Sequence, residues 1–304
     1  MTRLLVKDVL QKTTVFFRDK GIESARLDAE LLIAAALGWE RMKIYLNYEY
    51  PMNDAELALC REHVKRRAAG EPVAYILGKR DFYNHSFKVS PAVLIPRPES
   101  EHIVEDTVTW LRAQASVTEG GENSNPISRI VDLGTGSGCI GLSILAEVSG
   151  SQLLAVDISP GALAIARENS ENIGVSDRAQ FIEADVTHLD TAAVKEALGG
   201  EVDAVVANPP YIAEDDPMID RHVKLFEPSQ ALFSGDQGLA HIRIWCAKAA
   251  ELLRPDGWVM FEIGHQQGSA ARQVFADSGQ YRDINIVKDL SGRERFVRAF
   301  RVSK

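Results

Sequence analysis

The chain has 304 residues, 45% hydrophobic and 25% charged, with a formal net charge of -9. That length holds one large α/β unit with an appendage, or two domains, and the composition is that of an ordinary globular protein. No apolar run approaches the ~20 residues needed to span a bilayer, and the acidic balance argues against non-specific duplex binding, which needs a basic surface to displace counterions.

Residues 1–20 mix charges throughout (Arg3, Lys7, Asp8, Lys12, Arg18, Asp19). They lack the uninterrupted apolar stretch of a secretory signal, so a cytoplasmic protein is expected. Leu4, Leu5, Val9, Leu10, Val15, Phe16 and Phe17 recur at helical spacing. A second helix is expected over residues 25–37 with Ser24 as N-cap, and a third over residues 54–69 after Pro51 and Asn53, with Gly21 and Gly38 as punctuation. Together they predict a small helical bundle over residues 1–72. The basic run His63-Val64-Lys65-Arg66-Arg67 closes the third helix, where it caps the helix dipole or faces solvent. After Glu71-Pro72 the pattern changes. Tyr75-Ile76-Leu77-Gly78 and residues 82–89 favour strands, which makes residues 73–92 a β-hairpin linker to a domain over residues 93–304.

Pro96-Arg97-Pro98-Glu99 forces an extended loop, with Ser100 placed to cap a helix running through Trp110. Arg97 and Glu99 either approach the site or form an internal ion pair that fixes the turn. Residues 118–128 have the composition of a flexible surface linker. Strand candidates at residues 129–133, 153–156, 179–182, 203–207 and 258–263 then alternate with helical patterns, predicting a mostly parallel sheet covered on both faces. Residues 283–287 and 295–301 are too close for a crossover helix and predict an antiparallel hairpin. Cys60, Cys139 and Cys246 are spaced as buried reduced thiols. With the seven histidines scattered, no metal site is expected.

Ile130-Val131-Asp132-Leu133 runs into Gly134-Thr135-Gly136-Ser137-Gly138. A buried strand ending in a glycine-rich turn lets backbone approach a ligand closely, although the same pattern serves a plain strand-to-helix turn. The spacing is Gly-x-Gly-x-Gly rather than Gly-x-Gly-x-x-Gly. Asp157 ends the next strand where a ribose hydroxyl pair would lie, which suits an adenosyl cofactor without a pyrophosphate. Asp157 also stands where it could cap the helix after Ile158-Ser159-Pro160. Asp185 follows the third strand at the edge where open α/β sheets bind ligands and suits an adenine amino group. Asp132, inside an apolar strand, either orients the cofactor's amino group or braces the loop.

Asn208-Pro209-Pro210-Tyr211 leaves the fourth strand at that same edge. An amide or exocyclic amine has a delocalised lone pair and must lose conjugation before attacking a methyl sulfonium. The Asn208 side-chain oxygen and the Pro209 carbonyl can each accept an N–H and stabilise charge developing on nitrogen. Prolines hold that carbonyl, and Tyr211 can stack on the planar group. The reaction therefore needs no nucleophilic side chain, and methyl transfer from S-adenosylmethionine to a planar nitrogen is predicted.

With these residues the chain resembles the release factor glutamine methyltransferases. The resemblance extends through Gly70-Glu71-Pro72, Val89-Ser90-Pro91, Val93 to Glu99, Phe226-Glu227-Pro228, Glu262-Ile263-Gly264 and Asp289-Leu290-Ser291-Gly292-Arg293. It implies a seven-stranded methyltransferase domain preceded by a helical domain that docks the protein substrate. It also implies methylation of the glutamine in the Gly-Gly-Gln tip of peptide chain release factors. By motif position, Gly134 to Gly138 and Asp157 contact the cofactor; Asp185 and Asn208, at the ends of their strands, are expected beside them, with Val186 standing where some members carry an aromatic residue. Asn208 to Tyr211 contact the glutamine. A monomer is expected. The alternatives are a nucleic-acid adenine N6-methyltransferase, which uses the same acceptor geometry on a flipped base, and a lapsed cofactor-binding protein.

Overall fold

In the computed structural model, which describes residues 4–118 and 127–303, the chain divides into a helical unit, Met1–Lys79 with Arg221–Phe226, and an α/β unit, Arg80–Asp220 with Glu227–Lys304. The linker expected over residues 118–128 lies mostly outside the described residues.

In the helical unit, α1 (Val6–Asp19) buries Val6, Leu10, Thr13, Thr14 and Phe17. This stripe repeats every three to four residues and faces Ala29, Leu32 and Ile33 of α2 (Ala25–Ala36). Ser24 does not cap α2; its hydroxyl donates to Asp28 Oδ1 at 2.8 Å. A short α3 (Arg41–Leu46) follows that the periodicity did not indicate. At α4 (Asp54–Ala68), Asn53 Oδ1 accepts from the Glu56 N–H at 3.0 Å and Glu56 Oε2 accepts from the Asn53 N–H at 2.8 Å, a reciprocal cap. The basic run at its end is tied internally: Arg67 Nε donates to Asp28 Oδ2 at 2.7 Å and Arg66 Nη2 to Glu71 Oε1 at 2.5 Å. Residues 75–77, expected as strand, belong instead to one turn of helix, α5 (Val73–Leu77). Pro72 starts that turn with its carbonyl accepting from the N–H groups of Tyr75 and Ile76. Gly78 ends it at φ +70°.

The α/β unit begins with the hairpin of β1 (Lys79–Phe82) and β2 (His85–Lys88). The chain then alternates α6 (Glu101–Thr118), β3 (Ser128–Leu133), α7 (Cys139–Glu147), β4 (Ser151–Asp157), α8 (Pro160–Ile173), β5 (Ala179–Glu183), α9 (Thr191–Leu198) and β6 (Val202–Ala207). After α10 (Arg221–Phe226) and the single turn α11 (Gly235–Gly238) come α12 (Ala240–Leu252), β7 (Leu253–Glu262), α13 (Gly268–Asp277), β8 (Tyr281–Lys288) and β9 (Glu294–Arg301).

The seven strands lie in the order β5-β4-β3-β6-β7-β9-β8. β3 to β7 pair in parallel, and β9 runs antiparallel between β7 and β8, as the short connection required. Each central strand is buried on both faces. Val131, Leu133, Leu154, Val156, Val205 and Ala207 enter one core, while Ile130, Leu153, Ala155, Ala204 and Val206 enter the other. That two-sided burial explains their nearly unbroken apolar sequence. The chain runs from β3 outward to β5 and returns to β6 beside β3, so the carboxyl ends of β3, β4, β5 and β6 share the edge where the order reverses, the place where such sheets open a crevice.

Candidate active site

The turn after β3 is built from backbone. Gly134, Gly136 and Gly138 take φ of +69°, +56° and +82°, which side chains with a Cβ rarely adopt. A Cβ on Gly134 would stand 2.5 Å from the Trp245 ring. The N–H groups of Gly134 and Thr135 both donate to the Val156 carbonyl at 2.9 Å, so β4 anchors the loop's start. From the end of β4, Asp157 Oδ2 accepts from the Gly136 N–H at 2.8 Å and Oδ1 from the Ser159 N–H at 2.9 Å. Ser159, not Asp157, is the N-cap of α8, its hydroxyl accepting from the Ala162 N–H. Burial pushes the Asp157 carboxyl above its ordinary range against those backbone hydrogen bonds.

Asp132 is the loop's brace. Its Oδ2 accepts from the Thr135 hydroxyl at 2.7 Å and from the Gly141 N–H at 3.1 Å, and burial raises its carboxyl to about 7. It does not line the cavity described below. A residue that sequence reasoning missed, Asn169 of α8, fixes the middle of the loop. Fully buried, it donates Nδ2 to the Ser137 and Lys88 carbonyls at 2.8 and 3.1 Å and accepts from the Lys88 N–H at 2.7 Å.

Along this edge lies a cavity of about 360 Å³. Of the residues singled out in the sequence, Gly134, Thr135, Gly136, Ser137, Asp157, Asp185, Val186, Asn208 and Pro210 line it, whereas Gly138, Pro209 and Tyr211 do not. Gly138 instead packs where a Cβ would meet Leu142 at 2.6 Å. His241 and Trp245, one turn apart on α12, and Ile158 and Phe233 also line the cavity. No local motif marks them; only the sheet order brings α12 to this edge. Asp185 Oδ1 accepts from the Thr187 N–H at 2.8 Å, and that bond is the main cause holding its carboxyl below the ordinary range. Burial lowers His241, whose Nδ1 lies 2.7 Å from the Ser234 hydroxyl.

At the end of β6, Asn208 Nδ2 donates to Ser100 Oγ at 3.2 Å, and the Ser100 hydroxyl donates to Glu262 Oε2 at 2.5 Å. Glu262 Oε1 accepts from the Tyr211 hydroxyl at 3.0 Å. Ser100 ends a turn of 3-10 helix (Pro98–Ser100) directly before α6, and its hydroxyl is engaged with Glu262 and Asn208. Glu262 is 2% exposed, and burial raises its carboxyl. The phenol of Tyr211 points to Glu262 rather than into the cavity, and burial raises it. Its carbonyl accepts from Gln267 Nε2 at 3.0 Å. Arg97 pairs with buried Glu227 through Nη2 and Oε1 at 2.5 Å, not with Glu99, and Glu227 also accepts from the Ile95 N–H at 3.1 Å. The proline-rich segment is thus tied to the Glu-Pro pair that follows α10. Among the described residues no protein donor bonds Asn208 Oδ1. The edge therefore offers a glycine-lined ligand cavity, two carboxylates, and an unengaged amide oxygen next to a proline carbonyl.

Comparison with known proteins identifies the family. A family model described as the PrmC N-terminal domain matches residues 8–78, and one described as the methyltransferase small domain matches residues 122–239. The chain is 38% identical to a release factor glutamine methyltransferase of Nitratidesulfovibrio vulgaris over 92% of this chain and 90% of that one. It is 37% identical to one of Geobacter sulfurreducens over 96% and 95%. The hMettl16 catalytic domain, solved in complex with a MAT2A 3'UTR hairpin, superposes with a TM-score of 0.51 over 82% of this chain and 81% of that one, at 15% identity, a likeness of fold.

Proposed function

Because the chain belongs to the release factor glutamine methyltransferase family, we propose that it transfers the methyl group of S-adenosylmethionine to the side-chain amide nitrogen of the glutamine in the Gly-Gly-Gln motif of peptide chain release factors. The observation that carries this reading is Asn208 lining the glycine-walled cavity with Oδ1 unengaged by protein.

The residues present fit S-adenosylmethionine. A cavity of about 360 Å³ falls within the usual range for small-molecule sites. Residues 134–137 offer backbone to the methionine moiety, with Gly138 closing the turn behind them, Asp157 accepts from the ribose hydroxyls, and Asp185 with Val186 meets the adenine. When bound, the group supplies an electrophilic methyl on a sulfonium, so the chain needs no nucleophile. Asn208 Oδ1, in the cavity lining, accepts one N–H of the substrate amide, and the Pro209 carbonyl, next in the chain but outside that lining, is the acceptor for the other. Together they aim the nitrogen lone pair and stabilise the positive charge that grows on it. The two prolines restrict that backbone. Tyr211 acts from outside the cavity, holding the segment through Glu262 and Gln267.

Residues 1–72 dock the release factor, residues 73–92 join them to the rest, and residues 93–304 form the transferase domain. A cytoplasmic monomer is part of the same reading. Among the described residues no helix is long and apolar enough to cross a membrane. The adenine alternative is not favoured, because relatives matching over nine-tenths of the chain are glutamine methyltransferases. Incubation with labelled S-adenosylmethionine and either a release factor or duplex DNA tests the assignment. Label in the release factor is expected, and label in DNA alone contradicts it.

A further inference from the structure

We propose that Ser100 and Glu262 are positioning residues that set which end of the Asn208 amide meets the substrate. The proposal rests on the methyl-transfer reading above and deepens it. An asparagine amide has nearly the same shape after a half-turn about its last bond, but its two ends have opposite hydrogen-bonding sense. With Oδ1 toward the substrate, Asn208 accepts an N–H; with Nδ2 there, two donors confront each other and the acceptor is lost. Something must hold the amide in the first state.

The chain of contacts behind Asn208 does so by proton counting. Burial raises the Glu262 carboxyl, but both of its oxygens face hydroxyl donors that favour the ionised form, and an ionised carboxylate only accepts hydrogen bonds. Glu262 Oε1 accepts a hydrogen bond from the Tyr211 hydroxyl at 3.0 Å, and Oε2 accepts one from the Ser100 hydroxyl at 2.5 Å. The single hydroxyl proton of Ser100 is thereby committed, so only lone pairs of its oxygen face Asn208, 3.2 Å away. Nδ2 satisfies those lone pairs and Oδ1 does not. The preference thus runs outward from Glu262 through Ser100 to Asn208, and neither residue needs to touch substrate. Glu262 is 2% exposed and Ser100 also 2%, so water does not readily replace either partner.

The test exchanges Glu262 for an isostere that can donate. In Glu262→Gln the Tyr211 phenol, a stronger donor and weaker acceptor than an alcohol, keeps the amide oxygen, so Nε2 donates a hydrogen bond to Ser100 Oγ, which frees the Ser100 proton for Asn208 Oδ1 and turns the Asn208 amide over. With release factor as substrate, kcat should fall about 100-fold, comparable to loss of an aimed oxyanion partner. The Kd for S-adenosylmethionine by calorimetry and KM for release factor should stay within about threefold, because ground-state contacts persist. Ser100→Ala should lose roughly tenfold in kcat, as one removed hydrogen bond can, and Ser100→Thr, which keeps the hydroxyl, should restore it. A Glu262→Gln enzyme with near-normal kcat overturns the proposal, and so does a parallel loss of kcat and cofactor affinity, which would mark a structural brace. If Glu262→Gln does not fold, the serine pair decides: equal rates for Ser100→Ala and wild type overturn it. Failure of the wild-type enzyme to methylate release factor counts against the reaction reading instead, and the variant-to-wild-type ratio is then taken on whichever planar-nitrogen substrate accepts label.

Discussion

Asn169 Nδ2 donates to the main-chain carbonyl of Ser137 at 2.8 Å, tying α8 to the middle of the glycine loop, while the same side chain exchanges hydrogen bonds with the backbone of Lys88. The loop's shape therefore depends on a buried amide outside its own motif. Asn169→Ala leaves the Ser137 carbonyl and both Lys88 backbone groups without this partner, Lys88 being exposed enough for water to replace it, and is expected to cost about 1–2 kcal/mol of stability. Chemical denaturation should show that loss together with weaker binding of S-adenosylmethionine. Unchanged affinity would mean that the loop keeps its form without the latch.

Asp157 spans the loop and the start of α8 with one oxygen each, so its removal should act on cofactor binding before the chemical step. Asp157→Ala is expected to raise the Kd for S-adenosylmethionine at least about tenfold, the loss of one or two charge-assisted hydrogen bonds. Titration calorimetry checks this, and equal affinities would remove Asp157 from the cofactor site.

Asp132 provides a pH signature. Its carboxyl titrates at about 7 in the folded protein because burial disfavours the charge, against an ordinary value of 3.8. Between those values the folded state binds more protons than the unfolded one, so this group's contribution falls as pH rises and stays at its least favourable above the upper value. Asp132→Asn cannot titrate. The stability of wild type relative to Asp132→Asn should therefore decline from roughly pH 4 to roughly pH 7 and level off. A pH-independent difference in urea midpoints would contradict the assignment.

Gly238 sits at φ +87°, and a Cβ there would lie 2.1 Å from the Tyr211 carbonyl oxygen and 2.4 Å from Gln267 Nε2. Gly238→Ala should push the chain after Asn208-Pro209-Pro210 out of place. A loss of about 1–3 kcal/mol in stability from backbone strain is expected, with a fall in kcat that exceeds the change in cofactor Kd. Normal kcat in the folded variant would show that the Tyr211 backbone is not a support of the acceptor segment.

The parts of this site that are local in sequence were legible. A buried strand ending in alternating glycines and a second strand delivering Asn208-Pro209-Pro210-Tyr211 state their own geometry, because backbone freedom and rigidity are properties of those residue types. Short-range reasoning failed where a residue's partner is remote. Ser100 looked like a helix cap, yet its hydroxyl meets Glu262, 162 positions away. Tyr211 looked like a stacking surface, yet its phenol is spent on the same carboxylate. Asn169, His241 and Trp245 carry no motif, and only the strand order reveals what they face. Residues 75–77 were misjudged although Pro72 and Gly78, at the two ends of α5, are start and stop signals. Their apolar run is too short for periodicity to separate strand from helix.

The most direct test of the central claim is mass spectrometry of a release factor after incubation with this enzyme and S-adenosylmethionine. One added methyl group is expected on the glutamine of Gly-Gly-Gln with wild type, and a rate lower by on the order of 100-fold with Asn208→Ala, the loss of an aimed acceptor. An unmodified glutamine with wild type, or undiminished methylation by Asn208→Ala, would contradict the account.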